Sequence, residues 1–388
     1  MENEGPFIYD KCVAGKNFVG RKDDRTVLRN LIGQKENVVI MGGAKTGKMS
    51  LVSQVLFDKK VSGEHFCVAE LSLLDIRSTE AFLCRLGDSV LRAVATTPDE
   101  YSGLIGTFLS GTHFVFDRRR FSEKDEIVSL NWNVDEKDAR KMLLMPFELS
   151  FHKGIHIIIL VEEFQNMDFF AEGELNLYRL FEDSLKDIRG RLDEPMANFV
   201  FMGSRTNAMK DIFCHRHRFH RLVELYYPTR IDEKDIVAFV DKGFRSVGKV
   251  FDKENIIGVC KLFDNSMWYI NHFMSICDHL TRGYINESVL AEALEKMVSL
   301  HQPSFVYQMG ELTTFQVNLL RAIIDGNTKI SGADIIKDYN LNSAANVKRL
   351  KDALVKKEII SFDDKDNPVL IDPLFSYWLQ KFYFKKNI

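Results

Sequence analysis

Residues 38–51 are Val-Val-Ile-Met-Gly-Gly-Ala-Lys-Thr-Gly-Lys-Met-Ser-Leu, the segment of the chain with the most specific pattern. Gly42 and Gly47 frame four residues and Lys48 follows them, which is the G-x-x-x-x-G-K spacing of a phosphate-binding loop. An apolar run precedes the loop, and a segment with helical spacing, 51–56, follows it. Such a loop surrounds an anion with backbone N–H groups, and the next helix directs its positive end toward the same anion. We therefore predict an α/β fold with a nucleotide phosphate site formed by Gly42, Gly43, Ala44, Lys45, Thr46, Gly47, Lys48, Met49 and Ser50.

The loop departs from the usual pattern at one position. A Ser or Thr normally follows the lysine and places its hydroxyl on magnesium, but residue 49 is Met and the hydroxyl comes one residue later, at Ser50. A thioether is a poor ligand for a hard cation, which prefers oxygen. The sequence therefore predicts triphosphate binding more strongly than hydrolysis, with Ser50 as a weak candidate magnesium ligand.

Composition restricts the class of protein. The chain has 388 residues, of which 45% are apolar and 28% charged, and its net charge is −3. These values are typical of a globular protein of two or three domains and exclude a chain-wide field that attracts nucleic acid or acidic membranes. No apolar run approaches the ~20 residues of a membrane helix, and the first residues lack the apolar region of a signal peptide. The six cysteines form no C-x-x-C pair, which favours reduced thiols and a cytoplasmic location.

A second motif covers residues 157–165, Ile-Ile-Ile-Leu-Val-Glu-Glu-Phe-Gln. The continuous apolar run predicts a buried parallel strand, and its carboxyl end is where α/β sheets bind ligands. In a Walker B motif the first acid, here Glu162 rather than Asp, holds magnesium through water, and the second, Glu163, orients the attacking water. The alternative is a strand end with two solvated acids.

Two further segments supply polar candidates around the loop. The apolar strand 198–202 ends in Gly203-Ser204-Arg205, and a polar residue there would lie between the two Walker strands and sense the γ-phosphate. The basic loop 214–221 contains one Cys and three His, but its spacing matches no closed zinc site, so we interpret it as carrying an arginine toward phosphate. Ahead of the loop, the box Phe18-Val19-Gly20-Arg21 is either an adenine contact or a plain turn before a helix.

The remaining core segments carry little chemistry. Helices are predicted at 22–31 and 79–95, a second strand at 66–71 and a last core strand at 222–225. Residues 112–116 and 127–132 predict a β-hairpin around Asp117 and an arginine triplet, 118–120. A solvated hairpin tip is the simpler interpretation of the triplet, and contact with an acidic partner is the alternative.

Helical patterns dominate residues 231–302, at 233–247, 252–263, 268–281 and 286–300. Asp232, Asp252 and Asn286 stand where N-caps are expected. These segments predict a small helical bundle, or lid, with no chemistry of its own.

The last segment, 303–388, predicts a winged helix, with three helices followed by a hairpin at 359–362 and 369–371. Its third helix is basic, and such a helix can enter a major groove. The wing is acidic, however, and would repel phosphates, while winged helices also dock proteins. The helix carries Lys348, Arg349, Lys351, Lys356 and Lys357 against Asp352 and Glu358, and the wing carries Asp363, Asp364 and Asp366.

Taken together, this order of motifs resembles the archaeal-type ATPases of the STAND branch of AAA+ proteins, in particular the versions found in gut Bacteroidales. The resemblance covers nearly the whole chain, and its most specific marks are 18–21, 163–165, 203–204 and the tail Asp-Pro-Leu-Phe at 372–375. It implies these roles: Gly20 and Arg21 near the adenine, Lys48 on the β- and γ-phosphates, Glu163 positioning water, Ser204 as sensor 1 and Arg221 facing phosphate.

Three residues depart from that family's pattern. Met49 replaces the Walker A Thr, Glu162 replaces the Walker B Asp, and Met267 stands before Trp268-Tyr269 where a bundle Pro is expected. The departures predict impaired magnesium-dependent turnover and an altered closure of the lid on nucleotide.

We therefore expect a P-loop ATPase core at 1–230, a helical lid at 231–302 and a winged helix at 303–388. The leading hypothesis is a switch controlled by ATP or ADP, with slow hydrolysis and a protein partner bound through the lid or the winged helix. The alternatives are a non-hydrolysing scaffold that presents the winged helix to a partner protein, and a DNA-binding regulator.

Overall fold

The computed structural model describes residues 5–117, 121, 128–190, 196–363 and 365–386, which form two compact units. The first, called here the sheet unit, comprises Lys22–Gly42 and the described residues of Gln54–Pro228. The second, called the winged-helix unit, comprises the described residues of Met1–Arg21, Gly43–Ser53 and Thr229–Ile388. The division into three domains expected from sequence stays a prediction.

A five-stranded parallel sheet forms the centre of the sheet unit, in the order β2-β5-β6-β1-β7. Strands β1 and β6 are buried along their lengths, and β5 is buried except at its two end residues, because all three lie inside the sheet and are rich in Val, Ile and Phe. The predicted parallel α/β core is confirmed. The strands of this unit are β1 Val38–Ile40, β2 Phe66–Ser72, β3 Phe114–Phe116, β4 Val128–Leu130, β5 His156–Glu162, β6 Ala197–Met202 and β7 Glu224–Tyr226.

Helices with one apolar face cover this sheet. In α3 the predicted apolar stripe, from Phe82 to Leu91, is buried, and the Ser78 side chain caps the helix by accepting from the Ala81 N–H. A capping box of Asp135 and Asp138 starts α5. The helices are α1 Lys22–Gly33, α2 Lys48–Val61, whose residues 48–53 belong to the winged-helix unit, α3 Thr79–Val94, α4 Pro98–Phe108, α5 Glu136–Lys153, α6 Leu177–Arg189 and α7 Thr206–Lys210.

The predicted hairpin is present as the antiparallel pair β3–β4, with Phe114 opposite Leu130. Its predicted arginine triplet, Arg118 to Arg120, lies outside the described residues. The last core strand is displaced from 222–225 to Glu224–Tyr226, because β7 pairs with β1 in the register Val38 to Glu224.

The winged-helix unit begins its helical part with four helices and a short parallel pair, β8–β9. The Asp252 and Asn286 side chains accept bonds from the Glu254 and Val289 N–H groups, as expected of caps. The predicted cap at Asp232 is wrong, because its side chain makes no capping bond. The elements are α8 Glu233–Ser246, β8 Val250–Phe251, α9 Lys253–Leu262, α10 Met267–Leu280, β9 Tyr284–Ile285 and α11 Glu287–Gly310.

Helix α11 ends ten residues later than predicted. It continues past Leu300 to Gly310 and contains Pro303 within its length. Phe305 and Met309 are buried in the same apolar core as the other helices of the unit, so burial offsets the hydrogen bond that proline removes. One helix therefore crosses position 302, where the sequence predicts the end of the bundle.

The C-terminal part has the predicted helices and hairpin. A capping box of Thr313 and Gln316 starts its first helix, Ser343 caps the third, and Asp372 caps the last. The elements are α12 Thr314–Ile324, α13 Ala333–Asp338, α14 Ala344–Lys356, β10 Ile360–Phe362, β11 Pro368–Leu370 and α15 Pro373–Trp378. Lys348 and Arg349 of α14 are exposed, as are Asp363 and Asp366 of the wing, and the predicted acid at Asp364 lies outside the described residues.

None of the helices among the described residues combines the length and the apolar character needed to cross a bilayer. All six cysteines lie in described segments and are free thiols.

Candidate functional site

The phosphate loop has the backbone conformation that its glycines permit. Gly42 and Gly47 have φ angles of 131° and 78°, in the region that glycine adopts without steric cost, and Lys45 has a φ of 63°. The loop leaves β1 at the carboxyl edge of the sheet and enters α2 at Lys48. The Lys48 ammonium is buried and points across the loop, where it donates to the Gly43 carbonyl and lies 3.4 Å from the Thr46 hydroxyl.

The box at 18–21 lies against this loop within the winged-helix unit. Gly20 has a φ of 62°, and an added Cβ would come within 2.9 Å of the Asp235 carboxylate and the Ile231 side chain, so only glycine fits. Arg21 donates from Nε to the Thr229 carbonyl at 3.1 Å. One of its terminal nitrogens lies 3.6 Å from where a Cβ of Gly47 would be. The structure thus brings the box and the loop together.

Ser50 is bonded to the N-terminal segment. Its hydroxyl accepts from the Val13 N–H at 3.2 Å, and the Cys12 thiol lies 3.7 Å away. With a thioether at Met49 and this hydroxyl already in use, the donor set of the loop does not fit the usual magnesium site, which takes oxygen ligands.

The two acids after β5 have different surroundings. Glu162 is the last residue of the strand, and burial, Glu70 and Glu163 together raise the pKa of its carboxyl. Glu163 follows with a φ of 55°. Its carboxylate accepts from the Ser204 hydroxyl at 2.6 Å and from the Gln165 amide at 2.5 Å.

Ser204 is close to Glu163 because of the strand order. Strand β6 lies between β5 and β1, as predicted, so the residues after β5 and β6 meet at the carboxyl edge of the sheet where the loop begins. The two candidates therefore form one hydrogen-bonded pair, and both are partly buried.

Gly203 makes room for Gln165 at this edge. An added Cβ would lie well inside van der Waals contact of the Gln165 Oε1 atom and 2.7 Å from Met209 Cγ. That Oε1 atom is buried and has no hydrogen-bond partner among the described residues. Gln165 is thus held between Gly203 and Glu163.

The arginines of the basic loop are arranged differently from one another. Arg216 donates to both Asp168 carboxylate oxygens at 2.7 Å and also pairs with Glu172, which Arg218 contacts at 3.0 Å. Arg221 is exposed with a φ of 60°, and within the described segments no hydrogen bond or ion pair holds it. Arg216 and Arg218 therefore stabilise residues 168–172, which follow Glu163, through these ion pairs. Arg221 makes no such contact within the described segments.

Comparison with known proteins agrees with this architecture. Residues 303–381 match the sequence model of a family described as "Probable winged helix domain". Among curated proteins no match is found. The Walker-type ATPase PABY2304 of Pyrococcus abyssi has a similar structure, with a TM-score of 0.65 and 15% identity over 96% of this chain and 99% of that chain.

The ORC2 protein of Aeropyrum pernix is a second structural neighbour. Its ADPNP–ADP complexes give a TM-score of 0.57 at 11% identity, covering 93% of each chain, and its ADP form gives 0.54. At such low identities these likenesses show the fold alone. The fold is that of P-loop ATPases with a winged-helix domain, and this fold class expected from sequence is confirmed.

Several contact residues were not predicted as site residues. Gln165 belongs to the second motif, but no role was predicted for it, because the sequence does not show that its amide donates to the Glu163 carboxylate. Tyr269 lies beside Met267, where the chain departs from the resembled family, and its hydroxyl accepts from Lys45, 224 positions away in the chain. Asp372 lies in the tail that marks the resemblance, and its carboxylate accepts from the Leu374 and Phe375 N–H groups. A helix-start pattern, Asp before Pro, was the one available signal at Asp372.

Proposed function

We propose that this protein is a nucleotide-dependent molecular switch of the STAND type, which binds ATP or ADP at the phosphate loop. The observation that carries the proposal is the loop itself: positive-φ glycines at 42 and 47 follow a central strand, and Lys48 points across the loop. The ORC2 neighbour, whose structures contain ADP and ADPNP, supports nucleotide as the ligand.

Hydrolysis in this proposal is slow. In this proposal Glu163 orients water, the Ser204 hydroxyl donates to its carboxylate, and Arg221 is the phosphate-facing arginine. The loop, however, lacks the hydroxyl at Met49, and Glu162 stands where an Asp is usual, with a carboxyl whose pKa is raised by burial, Glu70 and Glu163. These features weaken the electrostatic stabilisation on which phosphoryl transfer depends.

A nucleotide shifts the equilibrium between the two conformations of such a switch only by the difference in its affinity for them. The output is a protein partner bound by the lid or the winged helix. Helix α11 supports this because it exposes Leu300, Val306 and Tyr307, which are 65%, 53% and 71% exposed.

Calorimetric binding of ATP and ADP to the full chain, with magnesium and then with chelator, tests the proposal. Lys48→Ala removes a charge-assisted donor and should weaken binding about 10- to 150-fold. Lys60→Ala is the matched control, because Lys60 is an exposed lysine of the same helix, α2. Equal affinity of the Lys48→Ala variant and the wild type would refute the site.

The magnesium dependence of nucleotide binding distinguishes a hydrolysing switch from a non-hydrolysing scaffold. Binding that requires magnesium would show that another oxygen replaces the missing hydroxyl and would favour a hydrolysing switch. Equal nucleotide affinity in magnesium and in chelator would favour a scaffold that binds phosphate without hydrolysing the nucleotide.

DNA binding is the weaker alternative function. The exposed Lys348 and Arg349 of α14 favour it, and the exposed acids of the wing oppose it. If the winged helix binds duplex DNA through phosphates, charge reversal of both residues should weaken binding and lower its salt dependence. Unchanged binding in that variant would exclude this helix as the DNA contact.

A further inference from the structure

The Glu163 carboxylate is held at one of its two oxygens. Its Oε2 atom accepts from the Ser204 hydroxyl at 2.6 Å and from the Gln165 Nε2 amide at 2.5 Å. Within the described segments no hydrogen bond reaches its Oε1 atom. An ionised carboxylate only accepts hydrogen bonds, so two donors at one oxygen leave the other oxygen for a further donor such as water.

The turn that carries these groups is anchored on both of its sides. Glu163 has a φ of 55°, and a short 3₁₀ helix begins at the next residue, Phe164. The Phe164 ring is fully buried, and its centroid lies 4.6 Å from that of Phe201 in β6. On the other side, the buried Asn166 amide donates to the Leu73 carbonyl, just after β2, at 3.0 Å. The backbone of the turn is therefore held in one conformation by contacts with two neighbouring strands.

Only one of the two polar atoms of the Gln165 amide is used. The side chain is buried, and its Oε1 atom, which packs against Gly203, has no hydrogen-bond partner among the described residues. A buried acceptor without a donor costs free energy. An apolar side chain of similar length, such as methionine, would avoid that cost and fill the same space. The presence of glutamine is therefore explained by the bond that its Nε2 group makes, and not by a gain in stability.

The orientation of this amide follows from its acceptor. Turned over, the amide would place its own oxygen against the Glu163 carboxylate, and two acceptors repel each other. With Nε2 toward the carboxylate, the amide instead makes a charge-assisted hydrogen bond, which is roughly twice as strong as a neutral one. The carboxylate of Glu163 and the amide of Gln165 therefore fix each other's orientation.

We propose that Gln165 is a positioning residue that, together with Ser204, holds the Glu163 carboxylate so that its Oε1 atom receives the attacking water. This inference rests on the proposed function, because it concerns the hydrolysis of a bound ATP. The water oxygen forms a bond to the γ-phosphorus, and the bond from that phosphorus to the bridging oxygen breaks with its electron pair leaving on ADP. The proton of the water passes to Oε1 and then to solvent.

Single-turnover hydrolysis of ATP by the full chain, with protein in excess and magnesium present, measures the chemical step even where it is slow. Gln165→Met keeps the length of the side chain and removes the donor, so we expect hydrolysis to become about 10- to 100-fold slower. ATP affinity, measured by calorimetry, should be unchanged. The melting temperature should equal or exceed that of the wild type, because the buried acceptor without a donor is gone. Gln34→Met, at an exposed glutamine of the same unit, is the control and should match the wild type in all three measurements.

A merely structural role of Gln165 predicts a different combination of results. A lower melting temperature of Gln165→Met, with parallel losses of affinity and rate, would show that the side chain only packs the core and would overturn the proposal. An unchanged rate of hydrolysis would overturn it as well.

The same measurements separate this inference from the proposed function. Absence of nucleotide binding by the wild type would overturn both. Nucleotide binding without hydrolysis, in the wild type and in Met49→Thr, would overturn the positioning role alone and leave the nucleotide site in place.

Discussion

Substitution of Gly203 by alanine tests the packing behind the Walker B pair. The added Cβ would overlap the Gln165 Oε1 atom and lie 2.7 Å from both Cγ and Sδ of Met209. Met209 is 1% exposed and Gln165 is 3% exposed, so neither has free space into which to move. The variant must displace the Gln165 amide and with it the bond from that amide to Glu163.

The expected cost follows from overpacking. One extra methyl in a closely packed site typically destabilises by about 1–3 kcal/mol. For a unit of about 200 residues this lowers the melting temperature by roughly 2–4 °C per kcal/mol, or about 2–12 °C in all. Differential scanning calorimetry of the full chain measures this shift in the transition of the sheet unit.

Gly103→Ala is the matched control in the same unit. Gly103 lies in α4, and an added Cβ there would meet nothing within 4 Å. Alanine in a helix is favoured over glycine by about 1 kcal/mol, so this variant should be equally stable or more stable than the wild type. If Gly203→Ala melts at the wild-type temperature while Gly103→Ala behaves as expected, the packing argument at Gly203 is refuted.

Three further predictions concern the same unit and the loop. The hydrogen bond from Lys59 is the main cause that lowers the pKa of the Glu64 carboxyl to about 2. The stability that this lowered pKa contributes is therefore present above pH 4.5 and is lost as the pH falls toward 2. Glu64→Gln should flatten that part of a stability–pH curve measured by urea unfolding. Tyr101→Phe removes a buried 2.9 Å bond to the Asp88 carboxylate and should cost about 1.5–3 kcal/mol in the same assay; a loss below the measurement error would contradict this. Met49→Thr restores the missing hydroxyl and should raise the steady-state rate of magnesium-dependent phosphate release, whereas an unchanged rate would show that Met49 does not limit turnover.

The sequence predicted the fold where local patterns are strong. The loop between a strand and a helix, the buried run of β5 and the apolar stripe of α3 each depend on residues adjacent along the chain, and each is present. The predictions failed where distant contacts decide: α11 continues through Pro303 because Phe305 and Met309 find a core, and β7 is displaced to match the register of β1.

The sequence alone predicts which residues bind a phosphate and which are poor magnesium ligands. Spacing placed the glycines and Lys48, and the chemistry of Met49 and Glu162 did not require coordinates. Local backbone geometry and the identity of a ligand atom are properties of short segments, and for that reason they can be predicted without the fold.

The connections among these groups follow from the tertiary structure. It bonded Ser204 to Glu163, the Ser50 hydroxyl to the Val13 N–H, and Lys45 to Tyr269. These are hydrogen bonds between segments far apart in the chain, and their strength depends on burial and on distances of about 3 Å. No periodicity or spacing encodes such distances, because they arise when strand order and helix packing bring the segments together.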